Sequence, residues 1–345
     1  MGRPRRLYLD VVYALPILQP DGSAARSVVR PGSVRLSLTD RCDLACVYCR
    51  PHRHDGYLER RLDLSAWLAM VEGLVRAGVR RVRLTGGEPL LHADVVEVVR
   101  ALARLPIDDL ALTTNATRLA VLAAPLREAG LQRINVSLDT LDPQRFHRMT
   151  RGGNLARVLE GIEAACAAGF ASVKLNAVVV RGENDGELEA LTRWCWERAI
   201  VPRFLEVMAI GEGAKMMDLV VPWTEMRASL ADLVEDGDPI REKDRGPARY
   251  LRARRDPSRR VGFISGTSDT YCKGCDRLRV ASDGTLRPCL ATEDGVAAGD
   301  AARAGDAAEV ERAVGRAWER KPDGDVFKGC TESSAARVSI RAIGG

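Results

Sequence analysis

Six short runs of apolar, often β-branched residues recur along the chain. VRLSL (34–38), RVRLT (81–85), LALTT (110–114), INVSL (134–138), VKLNAVVV (173–180) and RFLEVM (203–208) each predict a strand. The stretches between them repeat their apolar positions at 3.6-residue spacing, which predicts helices over 64–77, 93–105, 118–129, 155–168 and 187–198. Gly78, Gly130 and Gly169 stand just past three of these helices as stop signals. Strand alternating with helix implies parallel strands joined by right-handed crossovers. Six such units predict an α/β fold, an incomplete (β/α)6 TIM-like barrel with a wide lateral opening. Chemistry in barrels of this kind sits in the loops that follow the strands.

After Gly211 the rhythm stops. The rest of the chain is rich in Gly, Pro, Asp and Arg, and predicts a loop-rich C-terminal domain packed over the barrel's open side. It contains one hairpin signal, RLRVASDGTLRPCL, turning at Asp283–Gly284, and one helix over 308–320. The expected organisation is an N-terminal lead-in (1–32), a partial barrel (33–211) and a C-terminal domain (212–345).

Charge changes this picture at particular strand positions. Arg35, Arg83 and Lys174 stand inside predicted strands, among hydrophobic residues. A charge there is costly unless paired. Several cations converging inside one barrel therefore imply an anionic ligand. The whole chain is only mildly basic, with 52 Lys+Arg against 47 Asp+Glu. That balance argues against a nucleic-acid coat and allows a local basic pocket. Basic residues cluster at 76–83, 249–260 and 277–287; the middle cluster reads as a solvated face. No run of 18 apolar residues occurs, so no membrane span is expected. The basic-then-apolar N-terminus is interrupted by Asp10 and lacks a small-residue cleavage site. The expectation is a cytoplasmic protein, whose nine cysteines bind metal where they cluster rather than form disulfides.

Two cysteine triads stand out. Cys42, Cys46 and Cys49 follow the first strand, in the first βα loop. Cys272, Cys275 and Cys289 occupy the hairpin region, whose turn returns Cys289 towards the other two. Zinc needs four ligands, which His52 or His54 could complete at the first triad; a zinc knuckle is open at the second, with Cys330 as a further ligand. A [4Fe–4S] cluster held by three cysteines instead leaves one iron free to bind a substrate or cofactor. Cys166 and Cys195 lie in apolar helices and read as small buried hydrophobes.

Cx3Cx2C on the first loop and TGGEP (85–89) after the second strand resemble the radical S-adenosylmethionine (SAM) enzymes. The second triad, Cx2Cx13C, and the terminal Gly344–Gly345 narrow the resemblance to the GTP 3′,8-cyclase family of molybdenum cofactor biosynthesis. It covers about residues 33 to 345, with RLSLTDRC, VRLTGGEPL, RINVSLDTLD, VKLNAVVVRGEN and CDRLRVASDGTLRPCL in the family's order. The resemblance implies two [4Fe–4S] clusters, SAM on the open iron of the first, and the guanine of GTP on the open iron of the second. It implies cleavage of SAM to a 5′-deoxyadenosyl radical, attack of the ribose C3′ on guanine C8, and 3′,8-cyclo-7,8-dihydro-GTP as product. Tyr48, Gly86, Gly87, Glu88, Ser137 and Met208 match positions around SAM. Arg35, Arg83, Thr113, Lys174, Arg277 and Arg279 match GTP positions, with Arg203 and Arg81 in support. In the family the tail ending in Gly344 and Gly345 reaches into the active site and assists catalysis, and the resemblance implies Arg277 and Arg279 as further catalytic residues. Implied partners are a flavodoxin-type reductant and the downstream cyclic pyranopterin monophosphate synthase; a homodimer is left open.

The chain departs from the family pattern at Arg50 (usually Met or Leu), Ala116 (Gly), Val207 and Ala209, and at Asp276 (Asn or Thr) beside the triphosphate positions. A paralogue acting on another nucleotide or on a peptide is the alternative these departures leave. A zinc-stabilised binding module explains neither GGEP nor the strand arginines.

Overall fold

All six predicted strands form and pair in chain order. In the computed structural model, β1 (Ser33–Ser37), β2 (Arg81–Thr85), β3 (Asp109–Thr114), β4 (Arg133–Ser137), β5 (Ser172–Val179) and β6 (Val201–Glu206) run parallel, side by side. Residues 30–50, 57–241, 246–322 and 324 are described. The crossovers carry α1 (Leu64–Arg76), α2 (Val95–Leu102), α3 (Leu119–Glu128), α4 (Pro143–Met149), α5 (Leu155–Ala167) and α6 (Leu188–Glu197). Asp63 caps α1 by accepting from the Ala66 amide at 2.9 Å. Gly78, Gly130 and Gly169 adopt positive φ just past α1, α3 and α5, as expected of helix stops. The additional helix α4 spans seven residues, too few to show a period; its capping residue Asp142 and Pro143 were its only signals.

Period two sorts the strand side chains onto two faces. Val34, Leu36, Val82, Leu84, Leu112 and Ile134 point towards the helices and join them in one hydrophobic core. The alternate positions, among them Arg35, Arg83, Arg133 and Asn135, point away from it, into the barrel interior.

The last third is more regular than its composition predicts. It contains α7 (Trp223–Ala228), β7 (Ile240–Arg241), β8 (Arg249–Arg252), β9 (Arg260–Ile264), β10 (Arg277–Val280), β11 (Thr285–Arg287), β12 (Val296–Ala297), α8 (Gly299–Arg303) and α9 (Ala307–Glu319). β10 lies parallel to β1, and β9 lies parallel to β6. Eight parallel strands therefore stand in the order β10-β1-β2-β3-β4-β5-β6-β9, with antiparallel β11 and β12 on one edge and β8 and β7 on the other. The region extends the barrel sheet at both edges rather than only covering its opening. Its strands are two to five residues long, separated by Gly- and Arg-rich turns, which hides them from a periodicity reading.

Glu206, at the end of β6, fastens this region to the barrel. Its buried carboxylate accepts from the amides of Trp223, Thr267 and Ser268 at 2.8–2.9 Å, and from the Ser268 hydroxyl.

Candidate active site between two cysteine triads

A cavity of about 830 Å3 runs through the barrel interior, from Ser33, Arg81, Asp109 and Arg133 at the starts of β1 to β4 to Thr85, Thr114, Ser137 and Glu206 at the ends of β2, β3, β4 and β6. Both triads reach it: Cys42, Cys46 and Cys49 from the loop after β1, and Cys275 from the turn before β10. Cys272, Cys275 and Cys289 also line a smaller adjoining hollow of about 40 Å3. The hairpin turns at Gly284, with φ +93°, and returns Cys289 to the Cys272–Cys275 turn as expected.

The first triad sits on the GGE segment. The amides of Gly87 and Glu88 donate to the carbonyls of Thr39 and Arg41, both at 2.7 Å. A Cβ on Gly86 would stand 2.2 Å from the Thr39 carbonyl oxygen, and one on Gly87 equally close to that of Arg41. Glycine is required there because the cysteine loop lies directly against this backbone. Glu88 is buried and accepts from Thr114 Oγ1 (2.7 Å), the Asn115 amide (2.7 Å) and the Leu90 amide (3.0 Å). Burial raises its carboxyl to about 7, although these three bonds oppose the shift. Tyr48 donates to Asp139 at 2.8 Å, and the Val178 amide donates to the other oxygen at 2.8 Å. Burial raises Asp139 to about 6, against these bonds. Burial, and then the nearby carboxylates, push the thiols of Cys42 (Glu88) and Cys46 (Asp139) up. This end of the cavity collects acceptors and negative charge.

The other end is cationic. Strand register sets Arg35 between Arg279 on β10 and Arg83 on β2. Burial, then the charges of Arg279, Arg277 and Arg83, hold Arg35 well below the ordinary arginine range. Arg83 falls to about 9 through burial and the neighbouring Arg203 and Arg133; Arg279 falls to about 10 through burial and Arg277. Arg35 and Arg83 make no hydrogen bond or ion pair with a described residue. Arg203 donates to Asn135 Oδ1 at 2.5 Å, while its Nε is buried without a described partner. Two of the interior cations are neutralised: Arg81 pairs with Asp276, and Arg133 with Asp109.

The matched residues do not all meet the cavity. Tyr48, Gly86, Gly87, Glu88, Ser137 and Met208 line it, as do Arg35, Arg83, Thr113, Arg203 and Arg277. Arg279 lines the second-triad hollow. Lys174 lies behind the wall, buried, with Nζ 3.2 Å from the Tyr250 hydroxyl and 5.3 Å from that ring's centre. Gly344, Gly345, Cys330, His52 and His54 fall outside the described residues. Cys195 is fully buried and Cys166 half-buried. The 249–260 arginines include surface pairs, Arg254 with Asp236 and Arg259 with Asp256, as a solvated face should.

Several site residues had no clear sequence signal. Asp139, Asn115 and Glu206 sit just past or at strand ends, where only their position hinted at use. Asn115 donates to Asp43 at 2.8 Å and lies 3.9 Å from the Cys42 sulfur. Arg50 was unplaced by sequence; it is 2% exposed, with Nη1 3.3 Å from the Cys42 carbonyl oxygen, and its own carbonyl accepts from Arg151 at 2.5 Å.

The donor chemistry fits iron–sulfur clusters at both places. Cys42, Cys46 and Cys49 line the large cavity together, and Cys272, Cys275 and Cys289 the small hollow. A four-iron cube takes each of three thiolates on a different iron and leaves its fourth iron to a ligand from the cavity. Burial alone would raise the Cys275 thiol, but Arg277 and Lys321 outweigh it and bring it to about 7, favouring the thiolate a metal needs.

Residues 36–195 match the family model described as Radical SAM superfamily, and residues 200–327 match Molybdenum Cofactor Synthesis C. Fold and site together define a radical SAM enzyme. A structure of Streptococcus suis SuiB bound to S-adenosylmethionine shares this fold, with a TM-score of 0.59 at 16% identity over 79% of this chain and 64% of that one. Sequence similarity is much closer to the GTP 3′,8-cyclases of Pseudomonas entomophila (42% identical, covering 84% of this chain and 88% of the relative) and Rhizobium meliloti (39%, covering 92% and 90%). The chain belongs to the GTP 3′,8-cyclase family.

Proposed function

We propose that this protein converts GTP to 3′,8-cyclo-7,8-dihydro-GTP, the first step of molybdenum cofactor biosynthesis, using SAM and two [4Fe–4S] clusters. The observation that carries the reading is the polarity of the cavity. Its first-triad end is acidic, with Glu88 and Asp139; its other end holds crowded cations, with Arg35 and Arg83 free of any described anionic partner. SAM brings an ammonium and a sulfonium, and suits the first end. A triphosphate suits the second, where it relieves the repulsion that depresses the arginines.

When bound, SAM and the first cluster supply a 5′-deoxyadenosyl radical. Cys42, Cys46 and Cys49 hold that cluster; Cys272, Cys275 and Cys289 hold the second. Gly86, Gly87 and Glu88 face the SAM amino end, and Tyr48, Ser137 and Met208 its adenosine part. Arg35, Arg83, Arg203 and Arg277 bind GTP directly, with Thr113 beside it. Arg279 acts from the second-triad hollow and Lys174 from behind the wall. Gly344 and Gly345 complete the site. Residues 1–32, 33–211 and 212–345 serve as lead-in, radical-forming unit and substrate-side unit. We place the reaction in the cytoplasm, with a flavodoxin-type reductant as electron donor and the cyclic pyranopterin monophosphate synthase as consumer of the product.

The test is GTP affinity after Arg83→Met. Loss of a charge-assisted phosphate contact should weaken binding about 10- to 150-fold, on the order of 1.5–3 kcal/mol. Unchanged GTP affinity, with the protein folded, would contradict this assignment.

A further inference from the structure

Tyr271 immediately precedes Cys272 and stands on the wall shared by the large cavity and the second-triad hollow. Its hydroxyl lies 3.5 Å from Met208 Sδ and donates to that thioether. Its ring face carries the Arg277 guanidinium, 5.0 Å from the ring centre. Its carbonyl accepts from Arg241 Nη2 at 3.3 Å, which holds the residue from the backbone side. Met208 is confined from a second direction too: a Cβ on Gly266 would stand 2.8 Å from Met208 Cγ. The methionine is therefore set between Gly266 and Tyr271.

We infer that Tyr271 is a positioning residue that fixes the spacing between the two ligand sites, holding Met208 on one side through its hydroxyl and Arg277 on the other through its ring. The inference rests on the reading that Met208 faces SAM and Arg277 faces GTP. Its physical content is that one side chain makes two separable contacts. The hydroxyl contact is a weak hydrogen bond and orients a flexible thioether that otherwise has several rotamers. The ring contact is a cation–π interaction that holds the Arg277 guanidinium over the ring face. A residue that merely filled space would not divide its effect between two ligands.

The test uses the full-length, anaerobically reconstituted protein and calorimetric affinities for SAM and GTP, each measured alone. Tyr271→Phe removes only the hydroxyl. It should weaken SAM about 2- to 10-fold, the scale of one neutral hydrogen bond, and leave GTP affinity unchanged. Tyr271→Leu removes both contacts and should in addition weaken GTP about 2- to 30-fold, the scale of a cation–π pair. Equal effects of Tyr271→Phe on both ligands, or on neither, would overturn the inference, as would unaltered GTP affinity in Tyr271→Leu. If Tyr271→Leu does not fold, Tyr271→Phe decides alone by the same criterion. If the unsubstituted protein binds SAM but not GTP, the functional reading fails, and the inference with it.

Discussion

Asp276 is paired with Arg81 across β1, and its other oxygen accepts from Ser33 on that strand at 3.1 Å. The departure from the family pattern at Asp276 thus has a structural explanation: the extra carboxylate is occupied by the arginine beside it. It does not stand free against a bound triphosphate. Asp276→Asn leaves Arg81 as one more cation at the cavity wall. Both side chains are about 30% exposed, so solvent screens the pair and the effect is modest. GTP affinity should rise up to about fivefold at low salt and fall back at high salt, corresponding to at most about 1 kcal/mol. A loss of GTP affinity in this variant, measured by titration calorimetry, would mean that Asp276 itself touches the substrate.

Gly73 of α1 faces Val310 of α9. A Cβ there would stand 2.5 Å from Val310 Cγ1 and 2.8 Å from the Ala307 carbonyl oxygen. Gly→Ala inside a helix normally gains about 1 kcal/mol. Overpacking against backbone costs about 1–3 kcal/mol. The second effect wins here, so Gly73→Ala should lower the denaturation midpoint, and adding Val310→Ala should recover part of the loss. Stabilisation by Gly73→Ala alone would show that α9 does not seat on α1 as described.

Arg50 braces the first cysteine loop from inside. Its guanidinium lies 3.3 Å from the Cys42 carbonyl oxygen and 3.5 Å from that of Leu44. Arg50→Met restores the residue usual in the family but leaves these carbonyls without that donor. A stability loss of about 1–3 kcal/mol is expected, with less iron retained at the first triad. An unshifted melting curve with full iron content would show that the loop holds itself.

Lys321 ties both sides of the second triad together. Its Nζ donates to the carbonyls of Arg277 (2.7 Å) and Pro288 (2.8 Å), one just after Cys275 and the other just before Cys289. Lys321→Met should reduce iron from about eight per chain towards about four, while Lys321→Arg retains most of it. Full iron in Lys321→Met would show that the hairpin alone shapes the second site.

The barrel was legible because its strands stand out as apolar, β-branched runs and its helices are long enough to show a period of 3.6. The cation row was legible for the same reason: Arg35 and Arg83 break an apolar strand where only a ligand justifies a charge. The short strands β7 to β9 were not. They owe their pairing to partners far away in sequence, Arg203↔Gly262 for example, and leave little local trace. Nor could sequence place Arg50, since a buried arginine looks like a surface one until the carbonyls around it are known. The roles of Tyr250 and Tyr271 depend likewise on contacts with Lys174 and Met208, 76 and 63 residues away in sequence. Gly86 and Gly87 were legible only through their match to SAM positions; that the cysteine loop itself lies against their backbone needed the structure.

The central claim is that one cavity brings radical formation and GTP together, and it is tested by measuring 5′-deoxyadenosine formed by the reduced, reconstituted protein with SAM, in the presence and absence of GTP. The account predicts that GTP raises the yield strongly and that 3′,8-cyclo-7,8-dihydro-GTP accumulates in step with it. Equal 5′-deoxyadenosine with and without GTP, and no cyclised product, would contradict it.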